Sequence, residues 1–515
     1  MKFRNNRGWG LLVLLAVSTN AWPGAIESSY KAAREVIDAS VTAMQAEQWI
    51  DRPVPLMIAA SGTLFMGAEN QGLAPGEPTP TMFHETWAFD PRTRVLGREY
   101  RHDRHDGTRE WIREIFEPDG ARWYIDVPSG NPYFEPPAVA GNARNALLRR
   151  FPSQLLREAL LRPESLRAIG RYGPFEGVQA LTGAEASLSL FFSRESKMLS
   201  WVEYLVDLPS FTDSTVSWRY SEYRSVAGAG MVPHEYTVHI NDAVYLDMHV
   251  NSVTTDVSQV REFLTIPASE AERSKASAAP EPWHRAELVK AGDGIWLIRN
   301  LRAGFHMMFV EFENYLLAVD APSGYPLLQE LPAGNVIGAH SENSLVRQAL
   351  KMMREHIPGK PLRYAVLTHF HSDHAGGTFA FENHDVQLIV AESEAQAVRE
   401  FLSGNHTLCP AERGAALKIR EIGSRHVISD GEQRVELLDV GANPHSRHML
   451  AIWMPVQKVL YVSDLLTGRA DRPDRAHQNM NRFFMEWVRK KRLNPEVIYT
   501  SHGDGRVIPL TSERS

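Results

Sequence analysis

The sequence predicts an α+β chain of two domains, a mostly antiparallel β-sheet domain with helices followed by a mixed α/β domain. Three observations predict it: short strand-like runs separated by turn signals through the first half, an Ala/Ser/Glu/Pro-rich stretch at 267–282, and strands alternating with helical periodicity beyond it. The 515 residues, 43% hydrophobic and 23% charged, suffice for two or three cores and exclude a disordered, collagen-like or coiled-coil chain. A formal net charge of −7 provides no global positive field, so nucleic acid is not an expected partner.

The chain opens with Lys2, Arg4 and Arg7, then the short apolar run Leu11–Val17 and small residues at Thr19-Asn20-Ala21. This is the pattern of a signal peptide over 1–25, with cleavage and a periplasmic or secreted location as the expectation. No stretch approaches the roughly 20 apolar residues of a spanning helix, so no stable membrane insertion is expected. Ala33, Val36, Ile37, Val41 and Met44 recur at helical spacing and predict a helix over 28–45. A β-rich domain over 26–266 follows from the strand-like runs 86–89, 95–100, 111–116, 123–127, 187–192, 198–206, 215–223, 235–240 and 243–250, with a helical stretch near 145–161. In the last run Val244, Leu246, Met248 and Val250 alternate with polar residues, as on a sheet with one buried face. The linker is placed at 267–285 and the second domain at 286–515, with strands at 294–299, 307–312, 315–320 and 364–367 and a helix over 344–356.

The single cysteine, Cys409, excludes an intrachain disulfide and any Cys-rich metal site, whereas 20 histidines supply the commonest ligand for borderline metals. The apolar run Tyr364–Thr368 leads into His369-Phe-His371-Ser-Asp373-His374-Ala-Gly-Gly377, four potential ligands in six residues. An extended backbone points His369 and His371 to one side, and the following turn can bring Asp373 and His374 to a second centre.

This stretch resembles the His-X-His-X-Asp-His signature of the metallo-β-lactamase-fold hydrolases. Later segments resemble the rest of that family's pattern in order: Val440–Ser446 with His445, the strand Lys458–Ser463 ending in Asp464, and Val497–Ser501 ending in His502. The resemblance implies an αββα sandwich over roughly 288–510. It further implies a first metal on His369, His371 and His445, a second on Asp373, His374 and His502, Asp464 bridging, and Asp320 supporting the site. Two Zn²⁺ suit these N and O donors, and Fe or Mn also accept them. Such a pair can share a hydroxide as nucleophile, Asp373 being a candidate to orient it, and cleave an ester, thioester, lactone, lactam or phosphoester bond of a small-molecule substrate. Two other readings stay open: an iron-dependent oxidoreductase acting on sulfur or oxygen on the same scaffold, and a periplasmic binding protein for a hydrophobic ligand with a vestigial metal site.

His448, three residues after His445, is either a leaving-group proton donor or an ordinary loop residue, and His406 with Phe401 lies where family members build a cleft wall. His102–Asp106 reads as a solvated hairpin turn and Arg489–Arg492 as a solvated helix end. Trp201, Tyr204, Trp218, Tyr220 and Tyr223 read as core aromatics. The first domain resembles periplasmic lipoprotein-carrier domains in its opening helix and its Tyr223–Pro233 turn feeding two final strands. That resemblance implies a curved antiparallel sheet whose concave face could hold a hydrophobic ligand, beside the plainer reading of a structural or dimerisation domain.

Overall fold

The computed structural model describes residues 24–66, 79–103, 109–128, 131–135, 143–182, 186–207, 213–266, 272, 286–302, 305–322, 344–405, 417–446, 448–466, 468–469, 472–473 and 478–502. The expected signal segment and nearly all of the expected linker therefore lie outside the described residues.

Helix α1 (Ala25–Ala43) buries Ala33, Ile37 and Val41, the face that the apolar spacing predicts, and α2 (Glu47–Asp51) buries Trp49. A 13-stranded sheet follows, built of β1 (Leu56–Met66), β2 (Thr79–Asp90), β3 (Val95–Asp103), β4 (Arg109–Phe116), β5 (Arg122–Asp126), β6 (Asn131–Glu135), β7 (Arg167–Tyr172), β8 (Phe175–Thr182), β9 (Ala186–Ser193), β10 (Leu199–Asp207), β11 (Asp213–Ser221), β14 (Glu235–Ile240) and β15 (Ala243–Thr254). The short pair β12 (Arg224–Val226) and β13 (Gly230–Val232) forms its own hairpin. The order β6-β5-β4-β3-β2-β1-β15-β14-β11-β10-β9-β8-β7 sets β1 beside β15, and the described pairings are antiparallel. Gly62 is required at that seam, because a Cβ there would lie 1.8 Å from the Asp247 carbonyl oxygen.

The helical stretch expected near 145–161 is two helices, α3 (Ala143–Leu148) and α4 (Pro152–Leu161). Pro152 starts α4 and keeps Phe151 out of the helical region, at φ −122° and ψ 82°. The break buries Arg150, which donates to both carboxylate oxygens of Glu85 at 2.7 and 3.0 Å, while Arg98 and Arg122 pair with Glu114. Ile37, Met44, Trp49, Leu148, Phe151 and Leu156 of the helices and their connections pack with Trp87, Tyr204, Trp218 and Tyr236 of the sheet in one core. The sheet's apolar face thus packs against these helices in one shared core, and Trp201 and Tyr223 are only partly buried. The sequence reading missed β1, β6, β7 and β8; β7, with the sequence RAIGRY, is a sheet edge without the alternation of a half-buried strand. It also missed α5 (Val257–Leu264), whose first turn is capped by Asp256 accepting from Ser258 and Gln259.

From residue 287 the chain forms two facing sheets. The first runs β16 (Glu287–Gly292), β17 (Ile295–Arg302), β18 (Phe305–Glu311), β19 (Leu316–Val319), β20 (Leu362–Val366), β21 (Gln387–Ala391) and β22 (Lys418–Ile422), antiparallel up to β19 and parallel from there. The second contains β23 (Arg425–Ser429), β24 (Arg434–Asp439), β25 (Leu450–Met454), β26 (Val459–Tyr461) and β29 (Val497–Tyr499), while the short strands β27 (Gly468–Arg469) and β28 (Arg472–Pro473) pair with each other. Leu297, Val310, Val319 and Ile389 of the first sheet meet Leu437, Ile452, Val459 and Tyr461 of the second between the layers. The outer face of the first sheet is covered by α6 (Ser344–His356), which has the expected bounds, and by a helix at Ala395–Ser403; the outer face of the second is covered by a helix at Gln478–Lys491. Helix, sheet, sheet and helix therefore stack as four layers.

Candidate metal centre

The first buried parallel strands end together at one rim of the first sheet. Strand β20 stops at Val366, Leu367 still donates to Ile389, and the Thr368 carbonyl accepts from Leu450 of the second sheet, so the next residue leaves both layers. His369 and His371 follow, and the single turn α7 (Ser372–Ala375) carries Asp373 and His374, with His374 and Ala375 donating to the His371 carbonyl. Gly377 donates to the Ala321 carbonyl at 2.9 Å, and a Cβ there would meet the Pro322 oxygen at 2.4 Å; only glycine lets this turn dock against the end of β19. His445 rides on a loop built by Asn443, whose side-chain oxygen accepts from the amides of His445 and Ser446 at 2.9 and 2.8 Å. Asp464 follows β26 and His502 follows β29, so four different strand ends converge.

Two groups of side chains result. His369, His371, His445 and Asp464 form one, and Asp373, His374, Asp464 and His502 the other; within each, one candidate ligand atom per residue lies within 4.8 Å of the others. His445 Nε2 lies 3.1 Å from His369 Nε2 and 3.0 Å from His371 Nδ1, and those two nitrogens are 2.8 Å apart. Three ring nitrogens facing one another cannot satisfy each other as neutral donor and acceptor pairs, whereas a cation placed among them accepts all three lone pairs. In the second group His502 Nε2 lies 3.1 Å from Asp373 and 3.4 Å from Asp464, and His374 Nε2 lies 3.2 Å from Asp464. The donor set thus fits two borderline divalent cations.

Asp320, fully buried and left-handed at φ +65°, supports both groups. Its Oδ1 accepts from the Thr368 amide and hydroxyl, both at 2.8 Å, and its Oδ2 lies 2.9 Å from His374 Nδ1. That contact commits the Nδ1 proton of His374 to Asp320 and leaves Nε2, which faces Asp464, as the nitrogen available to a cation. Thr368 Oγ1, 3.0 Å from His369 Nδ1, orients the first ligand in the same way.

Burial, with the neighbouring His374 and His371, holds His369 well below the ordinary histidine range, in the neutral state a ligand needs. Burial also acts to lower His374 and His502, but Asp464 and Asp373 outweigh it, lifting His374 well up and His502 to about 9. The converse holds for Asp373 and Asp464: burial raises them, and His374 and His502 outweigh it, so both stay ionised. The carboxylates beside His374 and His502 thus favour the protonated form of both rings, and metal binding there would compete with those protons.

The structure brings together all seven residues singled out as ligands in the sequence, with Asp320 behind them. His448 joins neither group: it is half-buried, with Nδ1 3.7 Å from Asp439. His406 and Cys409 lie outside the described residues. Phe401 is 3% exposed and packs on Phe379 and Phe370, which corrects its placement as a cleft residue. His102 is likewise corrected: it is 2% exposed on β3, between Phe83 and Tyr100, because its ring faces the inner side of the sheet, while 104–108 are outside the described residues. Arg489–Arg492 are exposed at the end of the last helix. The sequence reading missed the buried hydroxyls of Thr368, Ser463 and Ser501; the one signal was their position next to His369, Asp464 and His502 in the chain.

Residues 338–502 match the family model described as the metallo-beta-lactamase superfamily. No curated protein matches the chain. Solved structures similar to it include a metallo-beta-lactamase from Pontibacter korlensis, 16% identical, covering 42% of this chain and 92% of its own with a TM-score of 0.31. The DIM-1 metallo-beta-lactamase is 13% identical over 44% of this chain and 91% of its own, with a TM-score of 0.32. The FIM-1 metallo-beta-lactamase from Pseudomonas aeruginosa, in a mono-zinc form, is 17% identical over 44% and 91%, with a TM-score of 0.30.

Proposed function

We propose, from the metallo-beta-lactamase superfamily domain at residues 338–502, that this protein is an exported hydrolase that holds two divalent metal ions. It would cleave an ester, thioester, lactone, lactam or phosphoester bond of a small molecule. The observation that carries this reading is the pair of four-residue groups sharing Asp464. His369, His371 and His445 would hold one ion, Asp373, His374 and His502 the other, with Asp464 between them. Imidazole and carboxylate donors without thiolate suit zinc. Bound there, the ions would supply Lewis acidity at the scissile carbonyl or phosphoryl oxygen and acidify water toward neutral pH.

The protein's own groups set the rest. Asp320 and Thr368 engage Nδ1 of His374 and of His369, so Nε2 of each ring is the nitrogen that would face an ion. Asp373, its side chain 26% exposed against 8% for Asp464, retains contact with solvent and can take the proton of an attacking water. No protein nucleophile is needed. Export rests on the basic, apolar and small-residue pattern of the first 25 residues.

The test is metal content by mass spectrometry on protein purified without added metal, together with a panel of chromogenic ester, thioester, lactone, β-lactam and phosphodiester substrates. About two zinc per chain with turnover of any panel member supports the hydrolase. One iron with no hydrolysis moves the same donors to an iron-dependent oxidoreductase, and a chain that binds no divalent metal refutes both.

A further inference from the structure

Ser463 is fully buried between β26 and Asp464, and its backbone is left-handed at φ +48°. Glycine holds such a turn without steric cost, so a serine here is disfavoured unless its side chain contributes. The hydroxyl stands at the centre of the groups beneath the two ligand clusters. Ser463 Oγ lies 3.1 Å from Thr368 Oγ1, 3.2 Å from Ser501 Oγ, 3.3 Å from His374 Nδ1 and from Asp464 Oδ1, and 3.4 Å from Asp320 Oδ2.

Proton accounting singles this hydroxyl out. Thr368 donates to Asp320 Oδ1 at 2.8 Å, Ser501 donates to Asp464 Oδ1 at 2.6 Å, and the His374 Nδ1 proton faces Asp320 Oδ2 at 2.9 Å. The Ser463 proton is the one these contacts leave uncommitted, and it stands between two buried carboxylates that repel each other. Ser463 and Ser501 together hold Oδ1 of Asp464 on its inner side, toward His374, which leaves Oδ2 facing His445 at 3.2 Å and His502 at 3.4 Å. Through Thr368 the same hydroxyl reaches His369 Nδ1.

We infer that Ser463 is a positioning residue whose hydroxyl separates Asp320 from Asp464 and sets the Asp464 carboxylate in the orientation that both metal positions share. The inference rests on the reading of these clusters as a metal centre and adds to it a residue that touches no metal. Removing such an outer contact weakens metal binding by on the order of 10–100-fold.

The test pairs Ser463→Gly with Ser463→Ala, each measured for zinc affinity by competition with a chromogenic chelator and for thermal unfolding with metal removed. Ser463→Gly relieves the backbone and deletes the hydroxyl. Its metal-free unfolding temperature should equal or exceed that of the parent protein, while zinc affinity falls by about tenfold or more. Ser463→Ala keeps the strained backbone without the hydroxyl, and should lose the same zinc affinity along with some thermal stability. A merely structural serine would move only the unfolding temperature; zinc affinity in Ser463→Gly within about twofold of the parent would overturn the inference, whether or not Ser463→Ala folds. A parent protein that binds two zinc ions while Ser463→Gly binds them as tightly sinks this inference alone. A parent that binds none sinks the metal-centre reading and this inference with it.

Discussion

Glu394→Gln isolates a buried carboxyl that belongs to neither group of candidate metal ligands. Glu394 precedes the helix at Ala395–Ser403, is 8% exposed and accepts the amide N–H of Phe370, the residue between His369 and His371. Burial, reinforced by Asp439 and Asp320, lifts this carboxyl from the ordinary 4.5 to about 8, so in the fold it is protonated at neutral pH. The sign follows from linkage. Between about 4.5 and 8 the unfolded chain has released this proton and the folded chain retains it, so Glu394 erodes stability as pH rises through that window, with the full loss present above about 8. At about 1.4 kcal/mol per pH unit, the interval corresponds to up to about 5 kcal/mol. Glutamine has the shape of the protonated carboxyl, keeps an oxygen for the Phe370 amide and never ionises. Urea unfolding of both proteins in the presence of a chelator, at pH 5, 7 and 9, should give nearly equal stabilities at pH 5 and a variant more stable by several kcal/mol at pH 9. The ligand histidines titrate in both proteins and cancel in the difference. Stability profiles that stay parallel within about 1 kcal/mol across this range would refute the reasoning.

Three further outcomes are expected. Asp373→Ala should lower bound metal from about two to about one per chain and reduce turnover on the order of 100-fold or more, with little change in far-UV circular dichroism; unchanged activity would remove Asp373 from the site. Arg150→Ala leaves Glu85 as a buried carboxylate without its bidentate partner and should destabilise the protein by about 3–5 kcal/mol in chemical denaturation, while zinc affinity, set in the other half of the chain, stays at the parent value. Protease cleavage within 267–285 should release two folded fragments that separate by size exclusion; a C-terminal fragment that aggregates would show that the two halves share a core.

Much of the candidate site was legible because its signals are local. Four potential ligands fall in six residues, and the resemblance to the metallo-β-lactamase-fold pattern pointed to His445, Asp464 and His502, each of which ends or follows an apolar run. Helix α6 was equally legible, since Leu345, Val346, Ala349, Leu350 and Met353 form one buried stripe at helical spacing. The break at Pro152 was written in the chain but read through, because the apolar residues on both sides keep a helical rhythm. Edge strand β7 carried no such rhythm; its partner β8 makes it a strand.

By itself the sequence determined which segments carry candidate metal ligands, through residue types and their spacing along single strands, and the alternation of elements that builds each layer. Tertiary structure alone decided which atoms face one another. The hydroxyls of Thr368, Ser463 and Ser501 are up to 133 positions apart in the chain and become neighbours only because β20, β26 and β29 end at one rim. Serine and threonine are ordinary surface residues in composition, so no pattern distinguishes a buried hydroxyl between two carboxylates from one in water. Burial does the same for Phe401, His102 and Glu394: their roles follow from the low-dielectric surroundings that other segments supply, and residue type carries no record of those surroundings.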